Sequence, residues 1–182
     1  MRINLHVIVI GAGLTASFFL KEMIAYLHMK QENLIRTDIT VFDPGSIGKE
    51  DLGAVYIRED LGHNRALLLS ELLKEQYDYE VTAVPGDFSV GSPVLQISKR
   101  DYVFMVDCSD GSIPGDYRTE WKKLSAKRKL YLKFADAKLY LDDGSGTEPF
   151  FSNTEEKSED FVWKHLERMF LVNLAMSKIV AV

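Results

Sequence analysis

Hydrophobic residues along the chain follow two spacings. Short, nearly unbroken apolar runs predict buried strands at 5–10, 39–42, 80–84, 102–106 and 130–134. Between these runs, apolar residues recur every three to four positions, which predicts helices at about 14–29, 63–77 and 116–127, and a last helix at about 159–180. Buried strands that alternate with helices predict an α/β, Rossmann-like doubly wound fold, with a mostly parallel sheet and helices on both faces.

The segments between these elements predict loops. Residues 45–62 are irregular, and residues 138–141 are compatible with an added edge strand. Residues 142–158 are rich in Gly, Ser, Thr and Glu, which is typical of a mobile loop. A length of 182 residues fits one domain, and with no internal repeat or second domain in the sequence we expect a single domain over residues 1–182.

Composition narrows the class of protein. The net charge of −5 argues against a broad nucleic-acid interface. A single cysteine, Cys108, excludes an intramolecular disulfide and a cysteine-based zinc cluster, and it suits a reducing compartment. The apolar segment 169–182 is too short to span a bilayer and contains Lys178. We therefore expect a cytoplasmic protein with neither nucleic acid nor membrane as a partner.

The turn after the first strand carries the clearest chemical signal. Gly11 and Gly13 lack a Cβ, so the backbone can turn sharply and approach a ligand closely. The helix that follows begins at about Leu14, and its unpaired N–H groups attract phosphate. Ala16 stands at the third position of the dinucleotide-binding fingerprint, where alanine is allowed. This pattern predicts a nucleotide-phosphate turn.

An acidic residue, Asp43, ends the second predicted strand. In dinucleotide- and ATP-binding folds an acid at this place binds ribose hydroxyls. Its distance from Gly11 exceeds the usual ~20 residues, which we attribute to a longer helix and loop. The alternative is that Asp43 only opens a turn with Pro44.

Several ordered motifs resemble the ThiF/MoeB-like family, which includes the ubiquitin-activating enzymes. They are Asp-Ile-Thr-Val-Phe-Asp-Pro at 38–44, Lys-Glu-Asp-Leu at 49–52 and Glu-Asp-Leu-Gly-His-Asn-Arg-Ala at 59–66. Residues 80–88 make the ThiF-type proteins of the PRTRC gene system the most similar group, and the resemblance covers about residues 5–135. It implies a homodimer that binds ATP and Mg²⁺ and adenylates the carboxylate of a small ubiquitin-like, or system-encoded, partner protein.

The resemblance assigns roles to six residues. Gly11, Gly13 and Ala16 match the family's phosphate turn, and Asp43 matches its ribose-binding acid. Arg65 stands where the family has a lysine that contacts phosphates, and Asp110 matches the acid that binds magnesium. These cations and N–H donors suit adenylation, because charge develops on the phosphates.

The chain also departs from the family pattern. Gly45 replaces an aspartate, Asp51 an asparagine, Ala54 an arginine and Gly111 an asparagine. Loss of one electrostatic group of this kind typically lowers the rate about 100-fold or more. The family's zinc-binding and transthiolation cysteines are absent, and Cys108 is interpreted as a small core residue. We expect adenylyltransferase-type activity that is weak, dependent on a partner or a second copy that supplies the arginine, or lost.

Two other functions stay open. The glycine turn and Asp43 also permit an NAD-binding oxidoreductase, although the sequence indicates no catalytic Tyr–Lys pair or His/Asp dyad. The departures at 45, 54 and 111 favour a non-catalytic interaction scaffold. The sequence assigns no catalytic residue.

Overall fold

A computed structural model describes residues 3–30, 35–53, 55–109, 117–135, 138–142 and 150–153. Within them a seven-stranded sheet has the order β3-β2-β1-β4-β5-β6-β7. The strands are β1 (Ile3–Ile10), β2 (Ile35–Phe42), β3 (Thr82–Val84), β4 (Tyr102–Asp107), β5 (Arg128–Ala135), β6 (Lys138–Asp142) and β7 (Phe150–Asn153). The α-helices are α1 (Leu14–Lys30), α2 (Arg65–Tyr77) and α3 (Tyr117–Lys123).

The sheet confirms the predicted α/β doubly wound class. Strands β1 to β5 pair in parallel, and β6 and β7 add antiparallel pairs at one end. The chain moves outward from β1 to β2 and β3, then returns to place β4 on the other side of β1. In such sheets ligands bind outside the carboxyl ends of the strands where the order reverses, which here is between β1 and β4.

Two hydrophobic cores lie on opposite faces of the sheet. Alternate residues of β1 divide between them: Val7 and Val9 pack under α1 and α2, and Ile8 and Ile10 pack under α3 and the segment 84–97. Successive strand residues point to opposite faces, so a strand that is apolar at every position supplies both cores. This arrangement explains why the segments 5–10 and 102–106 are nearly unbroken apolar runs.

The helices begin where the sequence predicts, but α3 ends early. Helix α2 starts after Asn64, whose side chain accepts a 3.1 Å hydrogen bond from the Leu67 N–H. Helix α3 ends at Lys123 rather than at about 127. The Lys129 ammonium donates to the carbonyls of Trp121 and Leu124, at 3.3 and 3.1 Å. It thereby satisfies carbonyl groups at the helix end while the chain turns into β5.

The end of the described chain differs from the prediction in two places. Strand β6 lies between β5 and β7 instead of at the sheet edge, and β7 falls inside the segment 142–158, where the sequence predicts a loop. A four-residue strand shows too little periodicity to be detected, and its pairing with β6 accounts for it. The predicted helix at 159–180 lies outside the described residues. Within the described part, no helix is long and apolar enough to cross a bilayer.

Candidate functional site

A cavity of about 480 Å³ opens at the carboxyl ends of the central strands. Its walls come from the turns that follow β1 and β2, the 3₁₀ turn Lys49–Asp51, the start of α2, and the segments after β3 and β4. The volume lies within the range of about 300–1,000 Å³ that is usual for small-molecule sites. The cavity therefore occupies the place that the strand order favours for a ligand.

Two glycines of the first turn line this cavity for different reasons. Gly11 has φ +85°, and a Cβ there would lie 3.2 Å from backbone atoms of Cys108 and Ser109, so the fold itself requires glycine. Gly13 has no positive φ, and a Cβ there would meet no atom of the described residues within 4 Å. The fold therefore leaves open space at Gly13, beside the first turn of α1. Ala16 is fully buried and belongs to the core between α1 and the sheet, which matches the packing role of the third fingerprint position.

The peptide groups of Ala12 are fixed from both sides. Its N–H donates to Oδ2 of Asp43 at 2.7 Å, and its carbonyl accepts a hydrogen bond from the hydroxyl of Tyr56. Burial, followed by the charge of Asp43, raises the pKa of Tyr56 well above its usual value, so the hydroxyl stays protonated and remains a donor. The sequence did not indicate Tyr56, because it lies in the irregular segment 45–62 and its partner is 44 residues away.

Asp43 is buried, and its carboxylate is held by three hydrogen bonds and an ion pair with Arg65. Oδ1 accepts from the Gly45 N–H at 2.7 Å and from Arg65 Nη2 at 3.2 Å. Oδ2 accepts from the Ala12 N–H and lies 3.1 Å from Arg65 Nε. Asp43 therefore accepts three hydrogen bonds, and its contact with Nε is an ion pair without hydrogen-bond geometry. Asp43 thus joins the turn after β1, the turn after β2 and the start of α2.

Arg65, the first residue of α2, lies between two carboxylates. Its Nη1 is 3.5 Å from Asp51 Oδ1, in addition to the contacts with Asp43. Burial lowers the pKa of Arg65, but the charges of Asp43 and Asp51 outweigh burial and raise it overall. A Cβ at Gly45 would overlap Nη2 and lie 2.8 Å from Cζ, so glycine is what leaves room for the guanidinium. Three departures from the family pattern, at 45, 51 and 65, therefore form one contact cluster.

A second buried acid, Asp107, supports the opposite wall. Its carboxylate accepts from the Tyr131 hydroxyl at 2.8 Å, from Lys133 Nζ at 3.2 Å, and from both the N–H and the hydroxyl of Ser109. These bonds fix the backbone that faces Gly11. Cys108, in the same turn, is half-buried, packs against the core and lines the cavity.

The structure does not describe every predicted site residue. Asp110, the predicted magnesium acid, and the departures at Ala54 and Gly111 lie outside the described residues. Among the residues that are described, no group of three or more His, Cys, Asp or Glu side chains could hold a metal ion. The charged side chains among the described residues of the cavity lining are Asp43, Asp51, Asp87 and Arg65.

Comparison with known proteins gives a structural likeness and no sequence match. No family model and no curated protein matches the sequence. Among solved structures, E. coli MccB crystallised with AMPCPP and MccA has a TM-score of 0.51, 11% identity and 92% coverage of this chain. E. coli MccB crystallised with ATP has a TM-score of 0.50, 12% identity and 91% coverage. This chain shares the MccB fold. It spans about half of the MccB chain, 47% and 48% in these two structures.

Proposed function

We propose that this protein is a ThiF/MoeB-like protein that binds ATP in the cavity at the carboxyl ends of β1, β2 and β4. The observation that carries the proposal is the space at Gly13, where nothing in the described part of the chain requires glycine but a close-lying ligand does. Helix α1 begins at the next residue and directs unpaired N–H groups and the positive end of its dipole there. The phosphates of ATP therefore lie against residues 11–16.

One wall of the cavity is lined by aromatic side chains and suits the adenine base of ATP. Phe42, Phe88 and Tyr117 all line it, with ring centroids 5.4 Å apart for the first pair and 6.0 Å apart for the second. Aromatic rings offer a planar base both apolar area and favourable ring contacts. That E. coli MccB is crystallised with ATP, and with AMPCPP together with MccA, supports a nucleotide and a second molecule as the ligands of this fold.

The proposed site binds ATP together with Mg²⁺. Three carboxylates and one guanidinium line the described part of the cavity, so a polyphosphate needs a further positive charge there. Asp110 would hold the ion, and the ion would neutralise charge on the phosphates. The chain's own residues bind and orient the nucleotide through the turn at residues 11–16.

The chemistry that fits this site is adenylation of a carboxylate of a small, ubiquitin-like or system-encoded protein. A carboxylate oxygen forms a bond to the α-phosphorus, and the bond to the leaving pyrophosphate breaks. Negative charge spreads over the phosphate oxygens in the transition state, so cations that face them accelerate the reaction. Arg65 is paired with Asp43 and Asp51, and Ala54 stands where the family has arginine. Activity is therefore weak without a partner or a second copy of the chain, in a homodimer, that supplies a cation.

Thermal unfolding with millimolar Mg·ATP, AMP or NAD tests the nucleotide assignment. At about 100 times the dissociation constant, a ligand adds about 2.7 kcal/mol to the free energy of unfolding. At roughly 2–4 °C per kcal/mol for a chain of this length, the midpoint rises by about 5–11 °C. We expect this rise with Mg·ATP and little with NAD. A rise with NAD alone would support the oxidoreductase alternative, and no rise with any ligand would support a scaffold. Pyrophosphate release, measured with and without candidate partner proteins, then tests the chemistry.

A further inference from the structure

The carboxylate expected to bind ribose is already covered by Arg65. Each oxygen of Asp43 accepts one backbone N–H, from Gly45 or Ala12. Oδ1 also accepts from Arg65 Nη2, and Oδ2 lies 3.1 Å from Arg65 Nε as part of the ion pair. The Asp43 side chain is 4% exposed and that of Arg65 30% exposed. A ribose hydroxyl could reach Asp43 only by displacing a backbone N–H or the guanidinium.

Displacement is unfavourable in this arrangement. A bond between ions in a buried setting is stronger than one from a neutral hydroxyl to the same carboxylate. The guanidinium also keeps its second contact, with Asp51, where the resembled family has a neutral asparagine. Two carboxylates therefore hold the same cation in place.

Residue 45 controls whether the guanidinium fits. A Cβ at Gly45 would overlap Nη2 of Arg65, and the next nearest atoms would be Cζ at 2.8 Å and Nε at 3.0 Å. Gly45 has no positive φ, so alanine is compatible with its backbone. A single methyl group would thus push the flexible end of Arg65 away from Asp43 without changing any charge.

We propose that Arg65 pairs with the Asp43 carboxylate in the place that ribose would take, so that this site binds nucleotides without recognising the 2′- and 3′-hydroxyls of ribose. The inference rests on the proposed function, because it concerns the same cavity. It makes the glycine at 45 and the arginine at 65 a specificity-determining pair. The nucleotide is then recognised through its phosphates and its base.

Isothermal titration with Mg·ATP and Mg·2′,3′-dideoxy-ATP tests this proposal. The wild-type chain should bind the two with dissociation constants within about threefold of each other. In Gly45→Ala the freed carboxylate accepts from the hydroxyls, and hydrogen bonds to a charged group favour ATP by about tenfold or more. Arg65→Gln, which removes the guanidinium, should behave as Gly45→Ala does and provides a second route if that variant folds poorly.

Gly91→Ala is the matched control. Gly91 lies outside the cavity lining, and a Cβ there would have only the Ser89 hydroxyl nearby, at 3.8 Å. Its ratio of dissociation constants should equal that of the wild type. A wild-type preference for ATP of tenfold or more, or a ratio that neither Gly45→Ala nor Arg65→Gln changes, would overturn the inference and leave the proposed function intact. No binding of either nucleotide by any of these proteins would overturn both.

Discussion

Alanine substitutions at Gly11 and Gly13 should separate the needs of the fold from those of the ligand. At Gly11, a left-handed φ of +85° costs an L-residue about 1–2 kcal/mol. Contact of the new Cβ with the backbone of Cys108 and Ser109, at 3.2 Å, adds to this. We expect a loss of about 2–3 kcal/mol, which lowers the unfolding midpoint by roughly 4–12 °C.

At Gly13 the same change should not lower stability. The new Cβ meets no atom within 4 Å in the part of the chain that the structure describes, and the backbone conformation is open to alanine. Such substitutions leave the free energy of unfolding unchanged or raise it by up to about 1 kcal/mol, because the unfolded chain loses freedom. If phosphate lies against residue 13, however, the methyl group occupies its space, and affinity for Mg·ATP should fall by about tenfold or more.

Urea unfolding and isothermal titration measure these two effects separately. The expected pattern is a destabilised Gly11→Ala and a stable Gly13→Ala that binds Mg·ATP poorly. Two results would refute the reasoning: a Gly13→Ala protein with wild-type affinity for Mg·ATP, or one that is destabilised as much as Gly11→Ala. The first would remove the ligand from this turn, and the second would give Gly13 a role in the fold.

Four further substitutions, one of them a control, test buried and exposed contacts by urea unfolding. Tyr56→Phe removes the hydroxyl that donates to the buried Ala12 carbonyl and should lower the free energy of unfolding by about 1–2 kcal/mol. An unchanged free energy of unfolding would mean that this hydroxyl does not support the turn. Lys129→Met removes the donor at the end of α3 and should lower the free energy of unfolding by about 1 kcal/mol. Lys123→Met is the control: it removes only an exposed ion pair with Glu120 and should lower the free energy of unfolding by less than about 0.5 kcal/mol. Burial of Asp101 raises its pKa, but hydrogen bonds, chiefly from Ser98, outweigh burial and lower the pKa overall. The stabilisation that Asp101 contributes to the folded state is therefore present above the unfolded pKa of about 4 and is lost as the pH falls through the folded pKa. Asp101→Asn should therefore be less stable than the wild type at about pH 7, and the difference should shrink towards about pH 3; a difference independent of pH would contradict this linkage.

Local patterns in the sequence predicted the centre of the fold. The runs 5–10 in β1, 39–42 in β2 and 102–106 in β4 are apolar at almost every position because their residues pack into cores on both faces of the sheet. Helix α1 begins at Leu14, directly after the glycine turn, as predicted. These elements can be predicted locally, because the spacing of their apolar residues is visible within ten to twenty residues of the sequence.

Elements that depend on distant contacts could not be predicted in the same way. The early end of α3 depends on Lys129, a residue of the following strand. Strand β7 is only four residues long and is defined by its pairing with β6. No local pattern in either segment indicates these partners.

The candidate site shows the same division. The glycine turn and Asp43 were indicated by their positions at strand ends, and both line the cavity. The contacts of Arg65 with Asp43 and Asp51 span 22 and 14 residues, so only the fold shows that they form one cluster. Departures at 45, 51 and 65 that look independent in the sequence are therefore coupled in space.

Backbone amide shifts of the glycines, in protein labelled with ¹⁵N at glycine, test the central claim most directly. The chain has 12 glycines, and four of those that the structure describes line the cavity: Gly11, Gly13, Gly45 and Gly86. On titration with Mg·ATP, we predict that the amide signals of these four move, with Gly13 among the largest changes, while those of Gly62 and Gly91, outside the lining, stay in place. Stationary signals for Gly11 and Gly13 at saturating Mg·ATP, or changes confined to glycines outside the cavity, would contradict a nucleotide site at this turn.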